Sequence, residues 1–280
     1  MAIHGKYFEY NGKSSKDFGI MVGVFNSTSD DIPMGLTRSV NRGEMTKYRY
    51  RANHYGATYD DVLEFELGII KDPCKFNGND MKFSRSEIRA INAWLTSPQF
   101  PKLFHMTDYD SDILRDDYVD YFCTITDVTA TGAGDIFTLT YTLTCDSPFG
   151  YSEAKTHFIQ NSDSVDALFT VLNESDDLEN YVYPTLKVIP TADGEVRVEN
   201  LTDGGILTIQ AIANLTIYID SSKLMMYDET KKLITFEDLG IDDIDNIYWF
   251  RLCHGTNEIR VTGDASVEIT YRECRKVGAY

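Results

Sequence analysis

The sequence predicts a mainly β protein that is divided into two domains and contains one α-helix. Short segments alternate polar and apolar residues, turn residues separate these segments, and only one segment repeats its apolar residues with helical spacing. A chain of 280 residues, 42% of them hydrophobic, is long enough to bury two separate cores. We therefore expect two β-rich domains, at residues 1–150 and 151–280.

Strands and tight turns dominate the first domain. The clearest strand is 136–145, where Leu139, Tyr141 and Leu143 share one face and threonines occupy the other. Asn11-Gly12 and the segment 131–134 supply hairpin turns, because glycine tolerates a positive φ. The predicted strands are 6–10, 18–24, 62–70, 118–128 and 136–145.

One helix interrupts these strands. Ser84 and Glu87 have the spacing of a capping box, and the apolar residues after them repeat every three or four positions up to Leu95. Pro98 prevents the helix from continuing. We expect the face that carries Trp94 to pack on a sheet.

The character of the sequence changes after Gly150, and the polar stretch 161–180 predicts a linker or the first loops of the second domain. Alternation then resumes in about eight short segments, which is typical of a β-sandwich. The predicted strands are 183–189, 195–200, 206–211, 216–219, 232–236, 247–252, 258–262 and 266–271.

Composition limits where the protein acts. The longest nearly apolar run, 18–25, is far shorter than the roughly 20 residues that span a bilayer, and no secretory signal precedes it. The five cysteines are scattered and lack a CxxC pair, which favours reduced thiols over disulfides or zinc. The net charge of -18 repels nucleic-acid phosphates, although a conduit through which DNA slides would tolerate it. We expect synthesis in a cytoplasm and no membrane contact.

A search for catalytic or metal-binding patterns finds none. Asp108, Asp110 and Asp112 have the opening spacing of a calcium loop, but Ile113 and Val119 replace its required glycine and glutamate. A solvated hairpin tip is the preferred interpretation. The histidines show no metal spacing, and no nucleophile or dinucleotide motif occurs. We expect no enzyme activity, no cofactor and no metal.

A basic segment runs against the acidic trend. Two tyrosines alternate with basic residues in part of it, so nucleic-acid contact is one interpretation. Pairing with acidic patches on a neighbouring subunit or another protein is favoured, given the net charge. The candidate contact residues are Arg38, Arg42, Lys47, Arg49, Arg51, Asp108, Asp110 and Asp112.

Several blocks together resemble the distal tail protein family of siphophages, a component of the baseplate hub. No single block is specific, so the resemblance rests on their order and spacing along the chain. They are FEYNGKSSKDFGI at 8–20, VLEFELGII at 62–70, SRSEIRAINAWL at 84–95, CDSPFGY at 145–151, WFRLCHGTNEI at 249–259 and VEITYR at 267–272.

This resemblance implies a structural virion protein at the tail tip. The first domain would be a β-sandwich or split-barrel belt that closes six copies into a ring, and the second a galectin-like, jelly-roll β-sandwich. The implied partners are other copies of the chain, the tail tube protein, the tail-associated hub or lysin protein and receptor-binding or other baseplate proteins. DNA would pass through the lumen only in transit. The host, the receptor and the interface residues stay open.

A carbohydrate-binding module for host adsorption is the alternative function. Its candidate residues surround the last predicted turn: Trp249, His254, Asn257 and Arg260. The aromatic run 248–250 could line a sugar site, although alternation places at least one of its faces in the core. A cell-wall-degrading enzyme is a third option, and it lacks any acid/base pair.

Overall fold

The computed structural model describes residues 6–23, 37–45, 47–48, 50–76, 78–107, 119–132, 134–161, 166–241 and 247–276. The chain divides into two compact units. The first comprises Met1–Ser152 and Arg275–Tyr280, and the second comprises Glu153–Cys274. Each unit has its own hydrophobic core. The prediction of a mainly β fold is confirmed, and α1 (Arg85–Leu95) is the one α-helix among the described residues.

Antiparallel strands build the first unit. Their bounds are β1 (Tyr7–Tyr10), β2 (Lys13–Ser14), β3 (Ile20–Val22), β4 (Arg38–Arg42), β5 (His54–Tyr59), β6 (Glu64–Lys71), β7 (Lys102–Thr107), β8 (Asp120–Thr131), β9 (Thr138–Cys145) and β10 (Gly150–Tyr151). The main sheet runs in the order β2-β1-β7-β8-β9-β6-β3. The N–H of Val22 in β3 also donates to the carbonyl of Lys6 at 2.9 Å, so the end of this path approaches β1.

The helix packs on this sheet through Trp94. Its ring stacks on Phe18 and Phe8 at centroid distances of 4.4 and 5.5 Å, and its Nε1 donates to the carbonyl of Tyr10 at 3.0 Å. The indole is therefore buried with its one polar atom satisfied. Ser84 and Glu87 form the predicted capping box.

The prediction of a continuous strand over 18–24 is wrong. Residues Ser15–Phe18 form a 3-10 helix, and β3 begins only at Ile20. The reason is a second capping box, in which the Ser14 side chain accepts from backbone N–H groups and the carboxylate of Asp17 accepts from the N–H of Ser14. Such local bonds compete with strand pairing.

The second unit is a pair of antiparallel sheets. The strands are β11 (Lys155–Gln160), β12 (Ala167–Asn173), β13 (Thr185–Pro190), β14 (Gly194–Asn200), β15 (Gly205–Ala211), β16 (Ile217–Asp220), β17 (Met225–Asp228), β18 (Gly255–Thr262) and β19 (Ala265–Tyr271). One sheet has the order β11-β19-β13-β16-β17 and the other β12-β18-β14-β15. A last strand, β20 (Cys274–Arg275), pairs with β10. Alternate residues of these strands supply the second core, as a sandwich requires.

Two expectations for this unit are wrong in detail. The stretch 161–180 is not only linker and loops, because β12 lies inside it and pairs with β18 over its whole length. The segments 232–236 and 247–252 form no strands and contribute only isolated bridges at Leu233 and Leu252. In the first of these, Thr235 and Asp238 exchange side-chain and backbone hydrogen bonds, which start a 3-10 turn.

Candidate interaction surface

Strands β4 and β5 form a hairpin separate from the main sheet of the first unit, and we call this hairpin, with the described residues 37–45, 47–48 and 50–60, the basic hairpin. Its strands β4 and β5 pair with each other, and among the described strands neither joins another sheet. The N–H of Gly43 donates to the carbonyl of Asn53 at 2.8 Å, and the N–H of Asp60 donates to that of Thr37 at 3.2 Å. Backbone bonds therefore hold the two strands together between the Thr37–Asp60 and Gly43–Asn53 pairs.

Aromatic and apolar side chains on the basic hairpin are highly exposed. Tyr48 and Tyr50 are 87% and 95% exposed, and Val40, Met45 and Tyr55 are each more than half exposed. An isolated two-stranded hairpin is only marginally stable in water, and exposed apolar patches mark interaction sites. The basic hairpin thus has the properties of a surface that a partner covers.

Positive charge accompanies these aromatic residues. Arg38, Arg42, Lys47 and Arg51 are all exposed, and none forms an ion pair within the part of the chain that the structure describes. Arg38 instead lies over the ring of Tyr59 at 5.2 Å, and Lys47 lies 5.8 Å from the ring of Tyr48. The cationic heads remain available to carboxylates of a partner.

The structure brings four of the predicted contact residues together on one hairpin. Arg38 and Arg42 lie on β4, and Lys47 and Arg51 follow in the connection to β5. The other four predicted contact residues lie outside the described residues: Arg49, Asp108, Asp110 and Asp112.

Sequence patterns alone did not identify an acidic face on the same unit. Glu64 and Glu66 point outward from β6, and Asp127 points outward from β8, with all three exposed. The register places Glu66 and Asp127 on either side of Thr142 in the intervening strand β9. No described cation pairs with any of the three carboxylates. We call Glu64, Glu66 and Asp127 the acidic face.

The alternation of apolar and acidic residues in β6 is the sequence signal that predicts part of the acidic face. Within β6, Phe65, Leu67 and Ile69 are buried and therefore fix the glutamates on the opposite side. In β8 the register shifts between Ile125 and Asp127. Such a bulge changes which residues share a face, and a single sequence does not reveal it.

The four residues of the predicted sugar site do not form one surface. Asn257 and Arg260 both belong to β18, and their spacing of three places them on opposite faces of the strand. Arg260 lies on the outer face near Glu199 and Asp166, at 3.2 and 3.9 Å.

Asn257 is fully buried, and its amide is used within the protein. Its side-chain oxygen accepts from the N–H of Cys253 at 2.8 Å and from the Asn200 amide at 3.1 Å. Its side-chain nitrogen donates to the carbonyls of Cys253 and Gly255 at 2.8 and 3.0 Å. His254 is exposed, whereas Trp249 is half-buried against Phe236.

Reactive groups are scarce in the described part of the chain. No cluster of three or more His, Cys, Asp or Glu side chains that could hold a metal occurs there. Burial raises the pKa of the Cys145 thiol to about 12 and also raises that of Cys123. Both thiols are therefore protonated at neutral pH, and the thiolate is the nucleophilic form. None of the described helices has the length and apolar character needed to cross a membrane.

Each half of the chain matches the model of a protein family. A family described as "Phage tail protein N-terminal domain" matches residues 3–147, and one described as "Phage tail C-terminal domain" matches residues 149–271. No curated protein sequence matches the chain.

Comparison with solved structures identifies the fold. The structure titled "Crystal Structure of SPP1 Dit (gp 19.1) Protein, a Paradigm of Hub Adsorption Apparatus in Gram-positive Infecting Phages" superposes with a TM-score of 0.61 at 14% identity. The match covers 95% of this chain and 98% of that protein. At this identity the likeness shows a shared fold. A structure of infectious bursal disease virus Gx strain gives a TM-score of only 0.17 at 10% identity, over 96% of this chain and 58% of that one.

Proposed function

The chain belongs to the phage tail protein family, and from this membership we propose that it forms a hexameric ring at the distal tip of a phage tail. The ring joins the tail tube protein to the tail-associated hub protein, organises the baseplate with its receptor-binding proteins and lets DNA pass through its lumen. Its role is structural, and no catalytic step belongs to it. The fold shared with a protein of a hub adsorption apparatus supports this proposal.

The observation that carries the proposal is the basic hairpin. Exposed tyrosines next to unpaired cations are typical of surfaces that become buried in an assembly. Within a chain of net charge -18, another copy of the same chain is a suitable acidic partner for them.

We place the contact between the basic hairpin of one copy and the acidic face of the next. The two surfaces differ, so the contact is head-to-tail, and a head-to-tail contact closes into a ring when its rotation allows. Arg38 and Arg42 form an exposed pair of positive charges, and Glu64 and Glu66 form an exposed pair of negative charges. Glu64 and Glu66 are two residues apart on β6 and therefore share one face.

The acidic character of the chain fits a DNA conduit. A cationic lumen would hold DNA through many phosphate contacts, whereas carboxylates repel the phosphates within a Debye length of about 8 Å. Pairing with the acidic face of a neighbour would neutralise the cations of the basic hairpin, so they would no longer attract DNA.

Light scattering of the purified protein tests the ring. We expect a mass six times that of the 31.8 kDa chain. Arg38→Glu with Arg42→Glu should yield monomers, because both contact surfaces then carry negative charge. Adding Glu64→Arg and Glu66→Arg to that variant should restore the hexamer.

The matched control is Lys231→Glu with Lys232→Glu, which changes the net charge equally in the second unit and should leave the hexamer intact. Unchanged assembly of the Arg38→Glu, Arg42→Glu variant would contradict the proposed contact. A wild-type protein that is monomeric even when mixed with tail tube and hub proteins would contradict the ring itself.

A further inference from the structure

The second unit contains an open groove that the ring proposal does not use. Its volume is about 390 Å³, within the range of about 300–1,000 Å³ that small-molecule sites occupy. The turn between β16 and β17 forms one wall, and the segment before β18 forms the other. The residues that matter for its chemistry are Tyr183, Ser221, Leu224, Tyr248, Trp249 and Arg251. We call this the aromatic groove.

Leu224 is strained and exposed in the wall of the groove. Its φ is +55°, in the left-handed region, where a Cβ crowds the backbone and where glycine or asparagine is far more common. Its side chain is nevertheless 56% exposed and contributes nothing to the core. Residues held in this region of backbone conformation cluster at ligand sites.

Polar groups with unused bonding capacity also line the groove. The Ser221 side chain is almost completely buried, and its hydroxyl has no hydrogen-bond partner among the described residues. Arg251 donates from Nε to Asp203 at 2.8 Å and lies 4.0 Å over the ring of Tyr181. Its terminal nitrogens make no hydrogen bond to another described residue. The side chain of Arg251 is 34% exposed, so these terminal donors are available to a ligand in the groove.

The charges around the groove are balanced. Arg251 pairs with Asp203, and Lys223 pairs with Asp220 at 2.6 Å. An anionic or cationic ligand would therefore gain little from the site. A neutral ligand with an apolar face and several hydroxyl groups matches both the aromatic walls and the unused donors.

We propose that the aromatic groove binds a neutral saccharide. The apolar face of one sugar ring packs against Tyr183 and Leu224, and its hydroxyls accept from the terminal nitrogens of Arg251. This site shares only Trp249 with the set that sequence spacing suggested. It goes beyond the ring proposal, since binding here does not depend on how the copies assemble.

Saturation-transfer NMR on the full chain tests the groove. The probes are the free hexoses glucose, galactose and N-acetylglucosamine, and the four-unit oligomers maltotetraose and chitotetraose. We expect transfer from protein to ring protons of at least one probe. Tighter binding of an oligomer than of its monomer would identify a polysaccharide as the ligand, and equal binding would identify a free sugar.

Leu224→Gly is the decisive variant. Glycine relieves the left-handed strain, so the fold should be retained while the apolar wall is lost, and binding should weaken at least tenfold. Tyr183→Ala should weaken binding similarly, with folding checked by thermal denaturation. His254→Ala is the matched control and should bind as wild type.

The proposal is overturned if no probe shows saturation transfer. It is equally overturned if Leu224→Gly and Tyr183→Ala bind normally or if His254→Ala abolishes binding. The mass of the assembly is measured in the same samples. It shows whether the ring forms, so a lack of sugar binding can be told apart from a lack of ring assembly.

Discussion

Three buried asparagines bond to the backbone of residues 251–253, at the end of a segment where strand pairing would otherwise be expected. Asn200 donates to the carbonyl of Arg251 at 2.8 Å, and Asn173 donates to those of Leu252 and Cys253 at 3.3 and 3.0 Å. Together with Asn257 and the bridge between Val182 and Leu252, these amides satisfy the backbone groups of this turn. Satisfied buried amides fix one arrangement of the chain, because any other leaves them without partners.

Asn257→Ala should therefore destabilise the second unit. The change removes four hydrogen bonds and leaves the N–H of Cys253 and the amide of Asn200 buried without their acceptor. We expect a loss of about 2–4 kcal/mol in the free energy of unfolding. Urea titration followed by the fluorescence of Trp249 measures it.

His254→Ala, three residues away and exposed, is the control and should change stability by less than about 0.5 kcal/mol. Equal effects of the two substitutions would show that the buried amide does not stabilise the segment.

At the scale of elements, the start of α1 connects local and long-range bonding. Glu87 accepts from the N–H of Ser84 at 2.7 Å and also pairs with Lys71 of β6 at 2.6 Å. Burial alone would raise the pKa of Glu87, but hydrogen bonds from Lys71 and Ser84 outweigh it and lower the pKa below 4.5. The capping box thus also ties the helix to the sheet.

Glu87→Gln should destabilise the first unit at neutral pH by about 1–2 kcal/mol, since solvent screens the 38% exposed carboxylate while Lys71 is 8% exposed. A lowered folded pKa means that the charge stabilises the fold above the unfolded pKa and ceases to do so as pH falls through the folded value. The difference in the free energy of unfolding between Glu87→Gln and wild type should therefore be largest at pH 7 and shrink below about pH 4.5. Urea titrations across this range test it.

Glu179→Gln, an exposed change in the second unit, serves as the control and should leave the stability of the first unit unchanged. A Glu87→Gln penalty that stays constant down to pH 3 would show that the charge is not responsible.

At the scale of the whole molecule, two separate cores suggest two folding units, and we propose that the functional division of the chain follows them. The unit Glu153–Cys274 has a complete pair of sheets and its own core. A fragment of residues 153–274 should therefore fold alone, with dispersed amide resonances and one cooperative thermal transition. Collapsed, poorly dispersed spectra would show that it requires the first unit.

The sequence by itself determined the elements whose signals are local. Alternation in β9 identified the inward faces of Leu139, Tyr141 and Leu143, and the spacing of Ser84 and Glu87 identified the start of α1. The spacing of Asn257 and Arg260 also carried enough information to place them on opposite faces, once β18 was taken as a strand. Each of these signals lies within a few residues, at the period of the element itself.

Only the tertiary structure decided which surfaces these elements create. The acidic face requires the register of three strands, and the aromatic groove requires the turn at Leu224 to lie beside Trp249 and Arg251. The segment 247–252 alternates like a strand, yet side-chain amides of Asn173, Asn200 and Asn257 bond to the backbone at its end, in residues 251–253. Such bonds join residues up to 80 positions apart, so no local period in the sequence encodes them.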